Sequence, residues 1–194
     1  MDTTELEARL DALLAQRKRI VLALDGMAAS GKTTLAAALA VRYSHSAVVH
    51  MDDFTIPLDA RTPGYFEAQL SNADVGRLDR EVLAPLARGE CVCYRPYRCH
   101  PEAGFLAPVC IEPNVRLLIV EGAYCLHPLL FERYDLRVLC VISPELQRER
   151  ILRRNGRAQL VRFSAQWIPM ENRHIEVRRL AQTCDLCLSA DQDG

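Results

Sequence analysis

The sequence predicts an α/β domain with a mostly parallel five-stranded sheet flanked by helices. Three observations carry that prediction. Short apolar runs of strand length recur along the chain, and segments with helical spacing separate them. The runs do not alternate with polar residues, so both faces of each strand are expected to be buried. The first run leads through a glycine-rich turn, Gly26 to Gly31, straight into an Ala- and Leu-rich segment of helical character.

Each element follows in order. Thr4 and Glu7 have capping-box spacing, and Leu6, Leu10, Leu13 and Leu14 recur at helical intervals, so residues 4–17 read as an amphipathic helix. Arg17, Lys18 and Arg19 suit its C-terminal end. Residues 20–24, Ile-Val-Leu-Ala-Leu, read as the first strand, 32–43 as a helix and 47–50 as the second strand. Residues 52–74, with Pro57, Pro63 and Gly64, read as loop, and 75–88 as a helix that tolerates Pro85. Residues 90–97 and 105–112 read as a hairpin, the place for a small substrate subdomain of about 90–112. Strands at 116–120, 136–142 and 185–188, with helices at 144–154 and 164–181, complete the reading. One domain over residues 1–194 is expected, with the helical stretch of about 144–165 as a lid.

The bulk numbers exclude several classes. Hydrophobic residues make up 49% and charged residues 25%, an ordinary globular composition. A net charge of −1 gives no argument for nucleic acid or an acidic membrane as partner. No apolar run approaches the ~18 residues of a membrane span. The polar, acidic start MDTTELEARL is unlike a secretory signal, so a cytoplasmic protein is expected, and self-association is left open. Eight cysteines are many for this length. Cys140 and Cys187 fall in apolar runs and act as small hydrophobes. Cys184-x-x-Cys187 and Cys91-x-Cys93 lack a well-spaced partner pair for zinc, and reduced thiols are expected throughout.

Gly26-x-x-x-x-Gly31-Lys32-Thr33 is a P-loop pattern in the right context, after a strand and before a helix. Its glycines let backbone N–H groups turn inward, so Gly26, Ala29, Ser30, Gly31 and Thr34 are expected to cradle phosphate. Lys32 would place a point charge at the β- and γ-phosphates, and the Thr33 hydroxyl would ligate Mg²⁺. GTPases, motors and kinases all share this loop. No Asn-Lys-x-Asp guanine-reading motif and no Leu-Ser-Gly-Gly-Gln signature occurs, and the chain is short for a ring ATPase. A small phosphotransferase using ATP or another nucleoside triphosphate is left.

Phosphoryl transfer to a hydroxyl needs a carboxylate near the acceptor and one near the metal. Asp52 and Asp53 follow the second strand and Glu121 ends the third, where ligands bind in parallel sheets. Adjacent Asp52 and Asp53 point in different directions, so one of them is expected to face the site. Glu121 occupies the place of a metal-steadying acid. Arg148, Arg150, Arg153, Arg154 and Arg157 crowd one helical stretch and can close over a triphosphate.

The ordered series ALDGMAASGKTT, HMDDF, Asn72-Ala-Asp74, GRLDREVLAPLARGE, CYRPYRC, LLIVEGAY, DLRVLCVISPELQRERILRRNGR and CDLCLSA resembles the uridine kinase and phosphoribulokinase group of P-loop kinases. The resemblance runs along nearly the whole chain. It implies that Asp52 is the catalytic base and a metal-side acid, with Asp53 in the variable position on the substrate side. It assigns Asp74 to ribose hydroxyls, Tyr97 to the base and Glu121 to the metal. It makes Arg150 to Arg157 the lid: Arg150 toward substrate, Arg153 and Arg154 toward the transferring group, Arg157 toward the nucleotide. It implies ATP and Mg²⁺ as cofactors and a small-molecule acceptor, foremost uridine or cytidine; pantothenate, nicotinamide riboside, a phosphorylated sugar or another small alcohol, and a nucleotide-binding regulator without an acceptor, stay open as alternatives. The family usually has Asp after the hairpin tyrosine; this chain has Arg98, which alters the pocket's electrostatics and opens the way to a phosphorylated or acidic acceptor. His100 lies near the place of a base-contacting histidine, at a different spacing.

Overall fold

The structure, a computed structural model, describes residues 1–57, 60–61, 71–99 and 104–192. Strand β1 (Ile20–Gly26) is its centre. Helix α1 (Thr4–Gln16) precedes it, and helix α2 (Lys32–Arg42) and strand β2 (Ser46–His50) follow. Later strands are β3 (Val92–Tyr94), β4 (Tyr97–Arg98), β5 (Gly104–Phe105), β6 (Val109–Ile111), β7 (Leu117–Glu121), β8 (Leu136–Val141) and β9 (Leu186–Ser189). Five of them make a parallel sheet in the order β2-β7-β1-β8-β9.

The missing alternation in the apolar runs has a direct cause. Successive side chains of a strand point to opposite faces. Leu22 and Leu24 of β1, Leu117 and Ile119 of β7, and Val138 and Cys140 of β8 pack with Leu6, Leu10, Leu35 and Leu39 of α1 and α2. Their neighbours Ala23, Leu118, Val120 and Leu139 join Phe54, Leu78, Val82 and Leu86 on the other face. Each fully buried leucine contributes roughly 1.5–3 kcal/mol to holding these layers together.

Local details depart from the sequence reading. The cap of α1 is Thr3, one residue earlier than the expected Thr4: its hydroxyl donates to Glu7 at 2.9 Å, and the Glu7 amide donates to the Thr3 carbonyl. The helix expected over 75–88 runs as α3 (Val75–Leu78), a wide π turn (Asp79–Leu83) and α4 (Ala84–Ala87). Pro85 has no N–H to give the regular ladder, and the widening sits beside it. Helix α5 (Pro144–Arg162) is broken at Gly156, where φ is 79° and ψ 172°. A second π turn (Phe163–Trp167) leads into α6 (Ile168–Val177), and a left-handed Arg179 separates α6 from α7 (Leu180–Thr183).

The hairpin region forms two small antiparallel pairs, β3 with β6 and β4 with β5. The expectation of reduced thiols throughout is corrected here. Cys93 and Cys110 face each other in the β3–β6 register and are joined as a disulfide, a pairing hidden by 17 residues of separation. Buried Arg77 ties this insert to the core. It donates to the Glu81 carboxylate at 3.0 Å, to the Asp53 carbonyl at 3.3 Å and to the Arg95 carbonyl, and it lies over the rings of Phe54 and Phe105. No helix among the described residues is long and apolar enough to cross a membrane.

Candidate active site

The turn from β1 to α2 is shaped by close approach. Gly26 has φ +135° and pairs with Cys140 of β8; a Cβ there would stand 1.9 Å from the Cys140 carbonyl oxygen. Asp25, just before it, is fully buried and accepts the amides of Gly26, Tyr124 and Leu126 at 2.6, 3.1 and 2.8 Å. His174 of α6 adds a fourth contact, Nε2 to Oδ2 at 3.2 Å. Burial alone pushes the Asp25 carboxyl up, but the His174 ring and the backbone amides outweigh it and hold the carboxyl low.

The loop itself is gripped from two helices. Ala29 sits at φ +61°, and Lys32 spans the turn, donating to the carbonyls of Gly26 at 2.9 Å and Met27 at 2.8 Å. Gln147 of α5 donates to the Ala28 carbonyl at 3.0 Å, Arg150 to the Ala29 carbonyl at 3.3 Å, and Glu171 of α6 accepts the Ala28 amide at 2.7 Å. The Ser30 hydroxyl is buried with no hydrogen-bond partner among the described residues. An orphaned donor inside a nest of backbone amides is what an anion-binding loop offers.

The acids come from neighbouring strand ends. β2 and β7 are parallel neighbours in a register that sets His50 beside Glu121. The buried Glu121 Oε1 accepts the Thr33 hydroxyl at 3.1 Å and meets His50 Nδ1 at 2.5 Å. That hydrogen bond raises the His50 pKa against the effect of burial. A 3₁₀ turn (Met51–Phe54) then separates the two aspartates. Asp52 opens into the cleft; loss of water around it and the nearby Glu121 charge raise its pKa. Asp53 is buried, accepts the Tyr94 hydroxyl at 3.2 Å and pairs with Arg98 at 2.5 Å.

Two cavities meet at these acids. The larger, about 840 Å³, is lined by residues 28–35 with Asp52, Glu121, Arg150, Arg153, Arg154 and Glu171. The smaller, about 470 Å³, is lined by His50, Thr55, Tyr97, Arg98 and Cys99. Thr33, Asp52 and Glu121 border both. Ala29, Ser30, Gly31, Lys32 and Thr34 thus share one cavity with the arginines, while Tyr97 and Arg98 share the other.

Other expected site residues lie elsewhere. Asp53 lines neither cavity, and neither does Asp74, whose carboxylate caps α3 by accepting the Arg77 amide at 2.8 Å. Gly26 shapes the loop without lining the cavity, and Arg157, past the break at Gly156, is exposed and outside both. His100 falls outside the described residues. Sequence reasoning missed Asp25, His50, Gln147, Glu171 and His174. Only Asp25 and His50 carried a signal, by adjoining the P-loop and the strand-end acids.

Thr33, Asp52 and Glu121 offer oxygen ligands only, which suits a hard divalent cation. Among the described residues no cluster of three His, Cys, Asp or Glu side chains would hold a metal by itself. Mg²⁺ is commonly held by one or two carboxylates together with phosphate oxygens and water.

No protein-family model matches the sequence, and no curated protein matches it. Solved structures do match over nearly the whole chain. A candidate fructose transport system kinase from Silicibacter sp. TM1040 is 24% identical with a TM-score of 0.73, covering 96% of this chain and 98% of its own. A candidate uridine kinase from Bacillus stearothermophilus is 20% identical with a TM-score of 0.64, covering 95% and 100%. D-glycerate 3-kinase from Cryptococcus neoformans is 15% identical with a TM-score of 0.60, covering 85% and 84%. At these identities the likeness is one of fold. Fold and loop together make this chain a P-loop protein with the architecture of those kinases.

Proposed function

We propose that the protein is an ATP-dependent phosphotransferase that phosphorylates a primary hydroxyl of a small molecule. The observation that carries this reading is the sharing of Thr33, Asp52 and Glu121 by two cavities, one at the phosphate loop and one at the hairpin. A switch or motor needs the first cavity; a transferase needs a second that opens onto the same acids. The kinase names of the neighbouring structures support it.

In this reading the P-loop amides and Lys32 hold the triphosphate. Thr33, Glu121 and Asp52 would hold Mg²⁺, which neutralises charge on the phosphates when bound. Asp52 orients the acceptor hydroxyl and takes its proton. Arg153 and Arg154 steady the transferring group, Arg150 reaches toward substrate while gripping the loop at Ala29, and Arg157 approaches the nucleotide when α5 closes. Within this reading the sequence resemblance favours uridine or cytidine, giving the 5′-monophosphate. Arg98 in the second cavity favours an acceptor with a negative charge.

The test is a coupled ADP-release screen over nucleosides, vitamins and sugar alcohols with Mg²⁺. Acceptor-stimulated release supports the transferase. Tight ATP binding with no stimulation by any acceptor would make the protein a nucleotide-binding regulator instead.

A further inference from the structure

The second cavity holds a cation that phosphoryl transfer does not require. Arg98 lines it from β4, with its side chain 45% exposed, and its Nη1 lies 2.5 Å from the Asp53 carboxylate. Asp53 itself is only 4% exposed, behind the cavity wall, and also accepts the Tyr94 hydroxyl. A long arginine at a surface ordinarily swings through many rotamers, and water dilutes its charge. Here a buried carboxylate fixes one corner of the guanidinium. A fixed planar fork is the arrangement that recognises carboxylate or phosphate through paired, charge-assisted hydrogen bonds.

The rest of the wall sharpens the argument. Thr33, Asp52 and Glu121 form the side shared with the donor cavity, and His50 is committed to Glu121 at 2.5 Å. Thr55, Tyr97, Arg98 and Cys99 form the remainder, so Arg98 is the arginine that lines the acceptor side, while Arg61 stands behind Cys99 and donates to its sulfur at 2.8 Å. Asp74, the acid assigned to ribose hydroxyls by resemblance, is occupied in capping α3. Asp74 lines neither cavity, whereas Arg98 lines the second.

We infer that the acceptor is a small hydroxyl compound that also carries an anionic group, a carboxylate or a phosphate, which Arg98 binds while the hydroxyl faces Asp52. This rests on the phosphotransferase reading. In the step, the acceptor oxygen forms a bond to the γ-phosphorus and the bond from that phosphorus to the ADP oxygen breaks. The hydroxyl proton passes to Asp52, and the products are ADP and the phosphorylated anion.

The experiment uses the full chain with ATP and Mg²⁺ and measures ADP release with matched acceptors on one carbon skeleton. The arms are a neutral sugar alcohol, its sugar acid and its sugar phosphate, with uridine and cytidine alongside. One charged arm is expected to exceed its neutral counterpart at least ~10-fold in kcat/KM, and which arm does so separates carboxylate from phosphate. Arg98→Gln is expected to cost that arm on the order of 10- to 100-fold, the range for hydrogen bonds to charged groups, and to leave little preference over the neutral compound. Arg98→Lys, which keeps the charge and loses the fork, should retain part of it and serves as the test if the glutamine variant melts early. Equal or better use of uridine, cytidine or the neutral alcohol overturns the inference and leaves the transferase standing. An equal loss on charged and neutral acceptors in both variants also overturns it. ATP binding with no ADP release from any arm overturns the transferase reading, and the inference with it.

Discussion

The Glu171 carboxylate accepts the Ala28 amide at 2.7 Å, so an acid from α6 holds one N–H of the phosphate loop. Glu171 is 8% exposed and lines the larger cavity. Burial raises its pKa to about 7; Lys32 and the Ala28 bond pull it down, while Asp25 and Asp52 push it up again. The folded value lies above the ordinary 4.5, so folding favours the protonated form. This group's contribution to stability is full below about pH 4.5 and is lost as pH rises to about 7. Across that window the loss amounts to at most about 3 kcal/mol. Glu171→Gln removes the titration and keeps an oxygen for the Ala28 amide. Urea melts at pH 5 and pH 8 should therefore show the variant gaining on wild type at the higher pH. A difference between the two proteins that is the same at both pH values would show that Glu171 does not titrate in this range.

Asp53 and Arg98 make a separate prediction. Asp53 is a buried acid with two partners, and its loss would leave Arg98 unanchored and the Tyr94 hydroxyl with a weaker acceptor. Asp53→Asn is expected to lower stability by about 1–3 kcal/mol. It should also raise the acceptor KM while nucleotide affinity stays within about threefold. A denaturant melt reads the first effect, and nucleotide titration with acceptor kinetics reads the others. Full stability with an unchanged KM would mean that the pair does no anchoring.

The residues that were legible in sequence are those whose chemistry is local. The strands announced themselves as apolar runs, because β1, β7 and β8 are covered on both faces. The P-loop was legible because its glycines, Lys32 and Thr33 lie within eight residues and between a strand and a helix. What stayed hidden depends on distant partners. His174 meets Asp25 across 149 positions, and Glu171 meets Ala28 across 143. No periodicity reports such contacts. The resemblance placed Asp74 and Asp53 among substrate groups, whereas locally one caps a helix and the other is buried against Arg98 and Tyr94. Neighbouring acids divide their roles according to which way a 3₁₀ turn points them, and that geometry is not written in residue type.

Gly26 tests the packing that shapes the cradle. It combines φ +135° with a backbone approach that no side chain can relieve, because the atom in the way is the carbonyl oxygen of Cys140 on the adjacent strand. Gly26→Ala would have to part β1 from β8 or move the loop. A stability loss of about 3 kcal/mol or more is expected, in the range of the larger core and backbone lesions. A urea melt with a midpoint close to wild type would mean that β1 and β8 separate there more easily than their register suggests.

In the proposed reaction Glu121 serves the metal and Asp52 serves both the metal and the acceptor hydroxyl, and the variants should separate the acceptor role. Glu121 is buried and bonded to Thr33, so in the proposed reading Glu121→Gln should weaken Mg²⁺-dependent nucleotide binding. Asp52 borders both cavities, and in the proposed reading it takes the proton of the acceptor hydroxyl. Asp52→Asn keeps the shape and removes the base, so kcat should fall by about 10²–10⁴-fold, the usual range for general acid–base catalysis. Nucleotide affinity measured without Mg²⁺ should be unchanged, because the loop amides and Lys32 hold the phosphates. The melting profile should be close to wild type, since Asp52 is exposed to the cleft and lies outside the packed core. Near-normal turnover in Asp52→Asn together with an inactive, well-folded Asp53→Asn would transfer the role of base to Asp53, against the direction in which the 3₁₀ turn points the two side chains.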